Sequence, residues 1–334
     1  MAYFIKMKKI VIILLFVFGS LSASAQLLYK IDEYLTNRYY KVNYDTAYIG
    51  RPVGTRWTLA FRTYFNWTSY NVSGVEEGDS YKFHLRSEIN PKMSIYAGYL
   101  GFGASLSRSY KKLIGQSEPD WSFRMNNYGN RFGFEFSLAQ LNSLNGDFIF
   151  WQDQYKISVP LPRDFVSQTS MFASFYFATN NTKFSYPAVF THSYIQKRSA
   201  GSLLLGGAIN LGITTIGDST NNTEVVKVIN GSLSLGVGYA YNFVLPQDWL
   251  IHVSALPYLV IGGGTQYSIA GEKEKSSAAE FPESVIVGRA AVIHTMGRWF
   301  AGASGQLNYY NIECDDIRVG DSLWELIAFV GVRL

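Results

Sequence analysis

Apolar and polar residues alternate with a period of two along most of the chain. Between Trp57 and Ser69, the residues Trp57, Leu59, Phe61, Phe65 and Trp67 fall on one side and Thr58, Arg62, Asn66 and Thr68 on the other, as in a strand with one greasy and one wet face. Tyr81, Phe83, Leu85 and Ile89 alternate with Lys82, His84, Arg86 and Glu88; Phe132, Phe134, Phe136 and Leu138 alternate with Arg131, Glu135 and Ser137. The longest run sets Leu233, Leu235, Val237, Tyr239, Tyr241 and Phe243 against Ser232, Ser234, Gly236, Gly238, Ala240 and Asn242. Further strands are predicted at 93–107, 148–158, 169–179, 199–211, 249–262, 283–296, 299–310 and 323–334.

Twelve segments result, most of them near the ~9–11 residues that a tilted strand needs to cross a bilayer, with ten to fourteen strands compatible with the spacing. Links alternate in length: short at 90–92, 141–147, 244–248 and 297–298, long at 70–80, 108–130, 159–168, 212–231, 263–282 and 311–322. The predicted fold class is therefore all-β, an antiparallel transmembrane β-barrel with short periplasmic turns, longer extracellular loops and both ends of the barrel in the periplasm. The link 180–198 breaks the rule, being long on the short side. In the last strand Trp324, Leu326, Ala328, Val330, Val332 and Leu334 are apolar up to the terminal residue, as barrel closure and recognition by barrel-assembly machinery require.

Composition supports this reading. Charged residues make up 16% and aromatics 16%, against about 25% charged in ordinary globular domains. The mean hydropathy of +0.02 is too low for a helical bundle, whereas alternating strands average out lipid-facing and lumen-facing residues. At the N-terminus, Lys6, Lys8 and Lys9 precede the apolar run Ile10–Phe18 and the small residues Ala23-Ser24-Ala25, predicting a cleaved signal peptide over 1–25. Its removal takes the formal charge from +4 to +1, leaving no basic field for nucleic acid. Residues 26–55 lack alternation and are expected to form a periplasmic or plug segment ahead of a barrel at 56–334.

The chemistry on offer is sparse. Cys314 is the only cysteine, so an intramolecular disulfide and a four-cysteine metal site are excluded. Asp315-Asp316 lack the ligand spacing of a calcium loop, and Gly98, Gly101, Gly103 and Gly262–Gly264 are read as points of close backbone approach, not as phosphate cradles. Of the four histidines, His84 and His252 are expected on the lumen face with Ser254 beside the latter, the weak candidates for a base and a nucleophile. Arg62, Lys82, Arg86, Glu88, Arg131 and Glu135 are expected to form a lumen charge cluster, either a selectivity ring or ligand site or ion pairs filling a narrow bore. No metal or cofactor is implied. The implied partners are outer-membrane lipid and the assembly machinery.

Tyr44-Asp45-Thr46 with Tyr48-Ile49, then Lys183-Phe184-Ser185-Tyr186-Pro187-Ala188 and Gln196-Lys197-Arg198-Ser199-Ala200-Gly201-Ser202, resemble the family called domain of unknown function 4421, envelope proteins of Bacteroidota-type bacteria. The resemblance implies an envelope barrel without an assigned activity. It also singles out Phe184, Ser185, Tyr186, Pro187, Gln196, Lys197, Ser199 and Gly201, inside and beside the anomalous link, as the place of family-specific function. The expected role is a non-enzymatic outer-membrane barrel: a narrow channel, a ligand- or lipid-binding barrel, or part of an envelope complex. A lipid-modifying enzyme and a secreted soluble β-sandwich stay open as alternatives.

Overall fold

Alternation becomes a wall when each strand finds a neighbour on both sides. In the computed structural model, which describes residues 25–76, 79–87, 89–110, 120–142, 144–152, 155–161, 165–218, 223–269, 275–278, 283–314 and 317–334, twelve antiparallel strands do so. They are β2 (Trp57–Glu76), β4 (Asn90–Tyr99), β5 (Phe102–Ser109), β6 (Trp121–Tyr128), β7 (Phe132–Leu141), β10 (Val166–Ala178), β12 (Ala200–Asp218), β13 (Thr223–Leu245), β14 (Trp249–Ile269), β16 (Glu283–Met296), β17 (Trp299–Cys314) and β18 (Ile317–Arg333). The last pairs with the first, Arg333↔Thr58 through Ile317↔Gly74, and the amides of Arg56 and Trp57 both donate to the Leu334 carbonyl. The ring is a closed barrel without a free edge along its lower wall.

The outer surface is apolar in the predicted rows: Leu59, Phe61, Leu205, Ile209, Leu235, Val237, Leu326 and Val330 are all exposed, while Ser232, Ser234 and Asn242 face inward and are buried. Such a surface is unaffordable in water over a whole wall and suits lipid. Exposed Trp57, Trp249 and Trp299 ring the short-turn end, while Trp67, Tyr309 and Trp324 stand ten residues or so further up. Ten residues at ~3.3 Å, tilted ~40°, give ~25 Å between the two aromatic belts, the height of an outer-membrane apolar band. Trp67 and Trp324 are register partners with rings stacked 6.1 Å apart.

Above the belt the wall forks. β2 pairs with β4 through its lower half and with β3 (Asp79–Ser87) through its upper half. β3 carries β8 (Leu144–Gln152) and then β9 (Tyr155–Leu161), while β15 (Lys275–Ala278) extends β14. The number of barrel strands matches the expectation, but their membership does not. Segments 81–89 and 148–158 fall in this extension and not in the barrel. The predicted single strand 93–107 is a hairpin, β4 and β5, and β6 occupies the stretch expected to be a loop. The expected short-side links at 90–92 and 141–147 therefore lie on the long-loop half. The hairpin was hidden because its turn places Leu100 (φ 49) and Gly101 (φ 89) both in left-handed space, and leucine is not a residue that announces such a turn.

The predicted signal peptide lies outside the described residues apart from Ala25. Helix α1 (Ala25–Tyr40) belongs to a separate unit ending at Asn43. Among the described residues no helix is long and apolar enough to cross a membrane.

Candidate functional site

The anomalous link turns inward and fills the bore. Asn180 starts it, its amide nitrogen Nδ2 donating to the Gly201 carbonyl (2.8 Å) and its carbonyl receiving the Phe184 amide (2.9 Å). Pro187 opens the single-turn helix α2 (Pro187–Phe190), where its fixed φ and missing N–H cost nothing. Phe184, Ser185, Tyr186, Ala188 and Val189 are at most 4% exposed. The ribbon of β1 (Ile49–Gly50) and β11 (Ile195–Gln196) ties the base of this plug to the chain before the barrel.

Gln196 is the hub. Its Oε1 receives the Ser185 amide (2.9 Å) and Asn242 Nδ2 (3.0 Å), and its Nε2 faces the carbonyls of Lys183 (2.7 Å), Arg198 (2.9 Å) and Tyr48 (3.2 Å). Ser185 Oγ donates to Asn130 Oδ1 (2.8 Å), and Ser199 Oγ accepts the Val244 amide (2.9 Å). Lys197 Nζ reaches the Thr46 carbonyl at 3.0 Å. Gly201 leaves room for an aromatic ring, since a Cβ there would meet the Tyr239 hydroxyl at 2.3 Å. The residues that carry the family resemblance thus build the plug and its seat.

From the wall, Arg62 Nη2 donates to the Phe190 carbonyl (3.3 Å) and Arg333 Nε to that of His192 (2.8 Å). Above the plug two ion pairs cross the bore. Arg289 of β16 meets Glu135 of β7 at 2.5 Å, with the Tyr128 hydroxyl donating to the same carboxylate at 2.7 Å. Arg124 of β6 grips Glu325 of β18 with both terminal nitrogens. Around them lie two cavities of about 50 and 60 Å³, room for a few waters each. The larger is lined by Asn66, Thr68, Lys92 and Asp321 among others; Lys92 is buried and its ammonium has no hydrogen-bond partner. Over this chamber a second apolar core closes the bore, with Tyr70, Val72, Leu85, Leu141, Leu144, Ile216 and Val319 buried together.

His192, in the plug, has φ 56 and stacks on Phe300 at 3.9 Å. Burial, then Arg333 and Arg62, hold its imidazole well below the usual histidine range, against a weaker opposing effect of the Ala188 backbone. It is neutral at pH 7.

Of the expected lumen cluster, Arg62 and Glu135 lie inside the bore. Lys82 and Arg86 do not: they are exposed on the outer face of β3, because Phe83 and Leu85 take the inward positions there. Outside the membrane the pattern inverts, the exterior being water. Arg131 is exposed in a short turn, over the rings of Phe132 and Phe177, and Glu88 lies outside the described residues, as do Asp315 and Asp316. His84 likewise faces outward, bonded to Asn71, and is not brought near His252.

His252 and Ser254 do meet, Nε2 to Oγ at 3.1 Å, while His252 Nδ1 reaches Asn242 Oδ1 at 2.7 Å. Asn242 spends both Nδ2 hydrogens on the Ser185 carbonyl and Gln196 Oε1, so its Oδ1 accepts from Nδ1–H, and Nε2 accepts from the serine hydroxyl. The order resembles a nucleophile, base and orienting group. Yet His252 has no exposed surface, sits beneath Phe184, Tyr186 and Phe190, and lines neither of the two cavities. The trio is a clamp on the plug. Among the described residues no three His, Cys, Asp or Glu side chains are grouped to hold a metal ion.

Arg124, Arg289, Arg333, Lys92 and Glu325 were not singled out from sequence. Glu325 carried a signal, a lone carboxylate between the apolar Trp324 and Leu326; Arg289 carried little, since its inward neighbours Val287 and Ala291 are themselves apolar where they face the plug.

Among curated proteins none matches the chain. Among solved structures it is similar to the outer membrane protease OmpT from Escherichia coli (TM-score 0.47, 5% identity, 85% of this chain and 98% of that one). It is also similar to the translocator domain of the autotransporter NalP from Neisseria meningitidis (TM-score 0.37, 11% identity, 95% and 98%). Likenesses at this level transfer no residue role. The sequence itself is more specific: the family model described as domain of unknown function, DUF4421, matches residues 43–334, and the chain belongs to that family.

Proposed function

We propose that this protein is a non-enzymatic outer-membrane barrel whose lumen is held shut by its own link, so that it serves as a binding or anchoring component of the envelope and not as a diffusion channel. One observation carries the reading: residues 184–193 occupy the bore, and Arg62, Asn242 and Arg333 hold them from three different strands. The two ion pairs and the upper apolar core narrow the remaining passage to cavities of about 50 and 60 Å³. In this reading the short-turn end faces the periplasm, residues 1–25 are removed on export, and the chain is found in the outer-membrane fraction as a band that shifts on boiling.

The test is conductance in planar bilayers. The purified protein is expected to be silent at low voltage, and a variant with 184–193 replaced by a Gly/Ser segment and with Leu85, Leu144 and Val319 of the upper core changed to Ser is expected to conduct. Steady ohmic conductance from the unaltered protein would overturn the proposal.

A further inference from the structure

The outer ends of β18, β2, β3 and β8 lie side by side, and their register sorts the outward side chains into rows. The lowest row is the stacked pair Trp324 and Trp67. Two residues higher come Ser322, Ser69, Arg86 and Asn145; then Gly320, Asn71, His84 and Asp147; then Arg318, Ser73, Lys82 and Ile149. These face outward because the alternate residues Tyr70, Val72, Phe83, Leu85 and Val319 are buried in the upper core. Lys82, Arg86 and Arg318 are exposed. Between them, apart from His84 and Ile149, the uncharged members are serines, asparagines and Gly320, on which a Cβ would meet nothing within 4 Å. Among the residues whose side chains are described, the carboxylate on the shelf is Asp147, opposite His84. Burial, then Arg86 and Lys82, keep the His84 imidazole below its ordinary range against the opposing carboxylate of Asp147.

We propose that this shelf binds the phosphorylated saccharide headgroup of a lipid in the leaflet on the long-loop side. The inference rests on the outer-membrane reading. The aromatic pair fixes where acyl chains end. At ~3.3 Å per residue and ~40° tilt, the Arg86 row stands ~5 Å above it and the Lys82 row ~15 Å, whereas the headgroup layer of a simple phospholipid is only ~5–8 Å deep. Cations spread over that height fit a taller, sugar-based headgroup with phosphate groups. Arginine matches phosphate oxygens in a bidentate fork, and lysine adds a point charge. The serine and asparagine side chains offer hydroxyl and amide groups to the sugar.

The experiment titrates the full-length barrel in detergent with bis-phosphorylated lipid A and, separately, with its dephosphorylated form, reading occupancy by native mass spectrometry. The unaltered protein is expected to bind the phosphorylated form at least tenfold more tightly. Lys82→Gln with Arg86→Gln is expected to weaken that binding about thirty-fold, at about 1 kcal/mol for each cation near a membrane surface. Arg131→Gln, at the other end of the barrel, is expected to leave it unchanged. A double variant that still shifts on heating and binds as before would overturn the site while leaving the membrane reading intact. Equal binding of both lipids by the unaltered protein would do the same. A protein that neither shifts on heating nor enters bilayers would overturn both.

Discussion

Replacing Gln196 by Ala removes the side chain on which the plug is hung. Two Nε2 hydrogens are shared among three carbonyls and Oε1 receives two donors, so four hydrogen bonds are lost at full capacity. At about 1 kcal/mol each, with more for groups such as the Ser185 amide that stay buried and less where water enters the vacated space, the cost is about 3–5 kcal/mol. That cost falls on the plug, because every partner except Asn242 lies on the link or on the chain before the barrel. The equilibrium for local opening therefore shifts by roughly two to nearly four powers of ten. Hydrogen–deuterium exchange over residues 184–193, followed by mass spectrometry in detergent, reads this directly, because exchange in a stable region proceeds through opening. Peptides from the wall strands serve as the internal reference. An exchange rate in 184–193 that rises less than tenfold, or one that rises equally in the wall, would refute the hub reasoning.

Two other outcomes follow from the interior. Glu135→Leu or Arg289→Met alone leaves one buried charge without its partner and is expected to cost about 3–5 kcal/mol in urea unfolding, whereas the double variant recovers most of that loss; additive losses would show that the pair is not coupled. His192 titrates in the unfolded chain near pH 6.5 but is held neutral in the fold, so its contribution is fully present above about pH 6.5 and is lost as the pH falls. Its share of the slope approaches about 1.4 kcal/mol per pH unit below that point. His192→Asn, which tolerates the left-handed φ of 56, is expected to flatten the unfolding midpoint between pH 7.5 and pH 5; an unchanged slope would sink the assignment.

The barrel was legible because lipid on one side and a polar bore on the other impose a period of two that no local detail disturbs. The rows from Leu233 to Phe243 and from Trp324 to Leu334 face as the alternation says; the link at 180–198 stood out by its length, but a plug was expected at 26–55 and not there. Two things were not legible. The hairpin within 93–107 was missed because its turn uses a leucine in left-handed space, and missing β6 reversed the direction assigned to β7. Partners across the bore are invisible in one dimension: Arg124 and Glu325 are 201 residues apart, and nothing near either names the other.

The error over Lys82, His84 and Arg86 is the instructive one, because the pattern there is as clean as anywhere in the chain. Alternation fixes that two faces differ; it does not fix which face is inside. Within the bilayer the exterior is apolar and the polar row must turn inward, as Arg62 and Asn66 do on β2. Past Trp67 the exterior is water, and the same strand reverses its preference, with Tyr70 and Val72 turning inward. The residue at which the apolar row changes sides is thus a sequence-level marker of the membrane boundary. On β2 it falls between Trp67 and Tyr70, directly above the aromatic belt. On β18 it falls between Val319 and Trp324, the same height reached independently. Two neighbouring strands that switch at one level define a surface, and it is at that surface that the displaced cations of β3 stand.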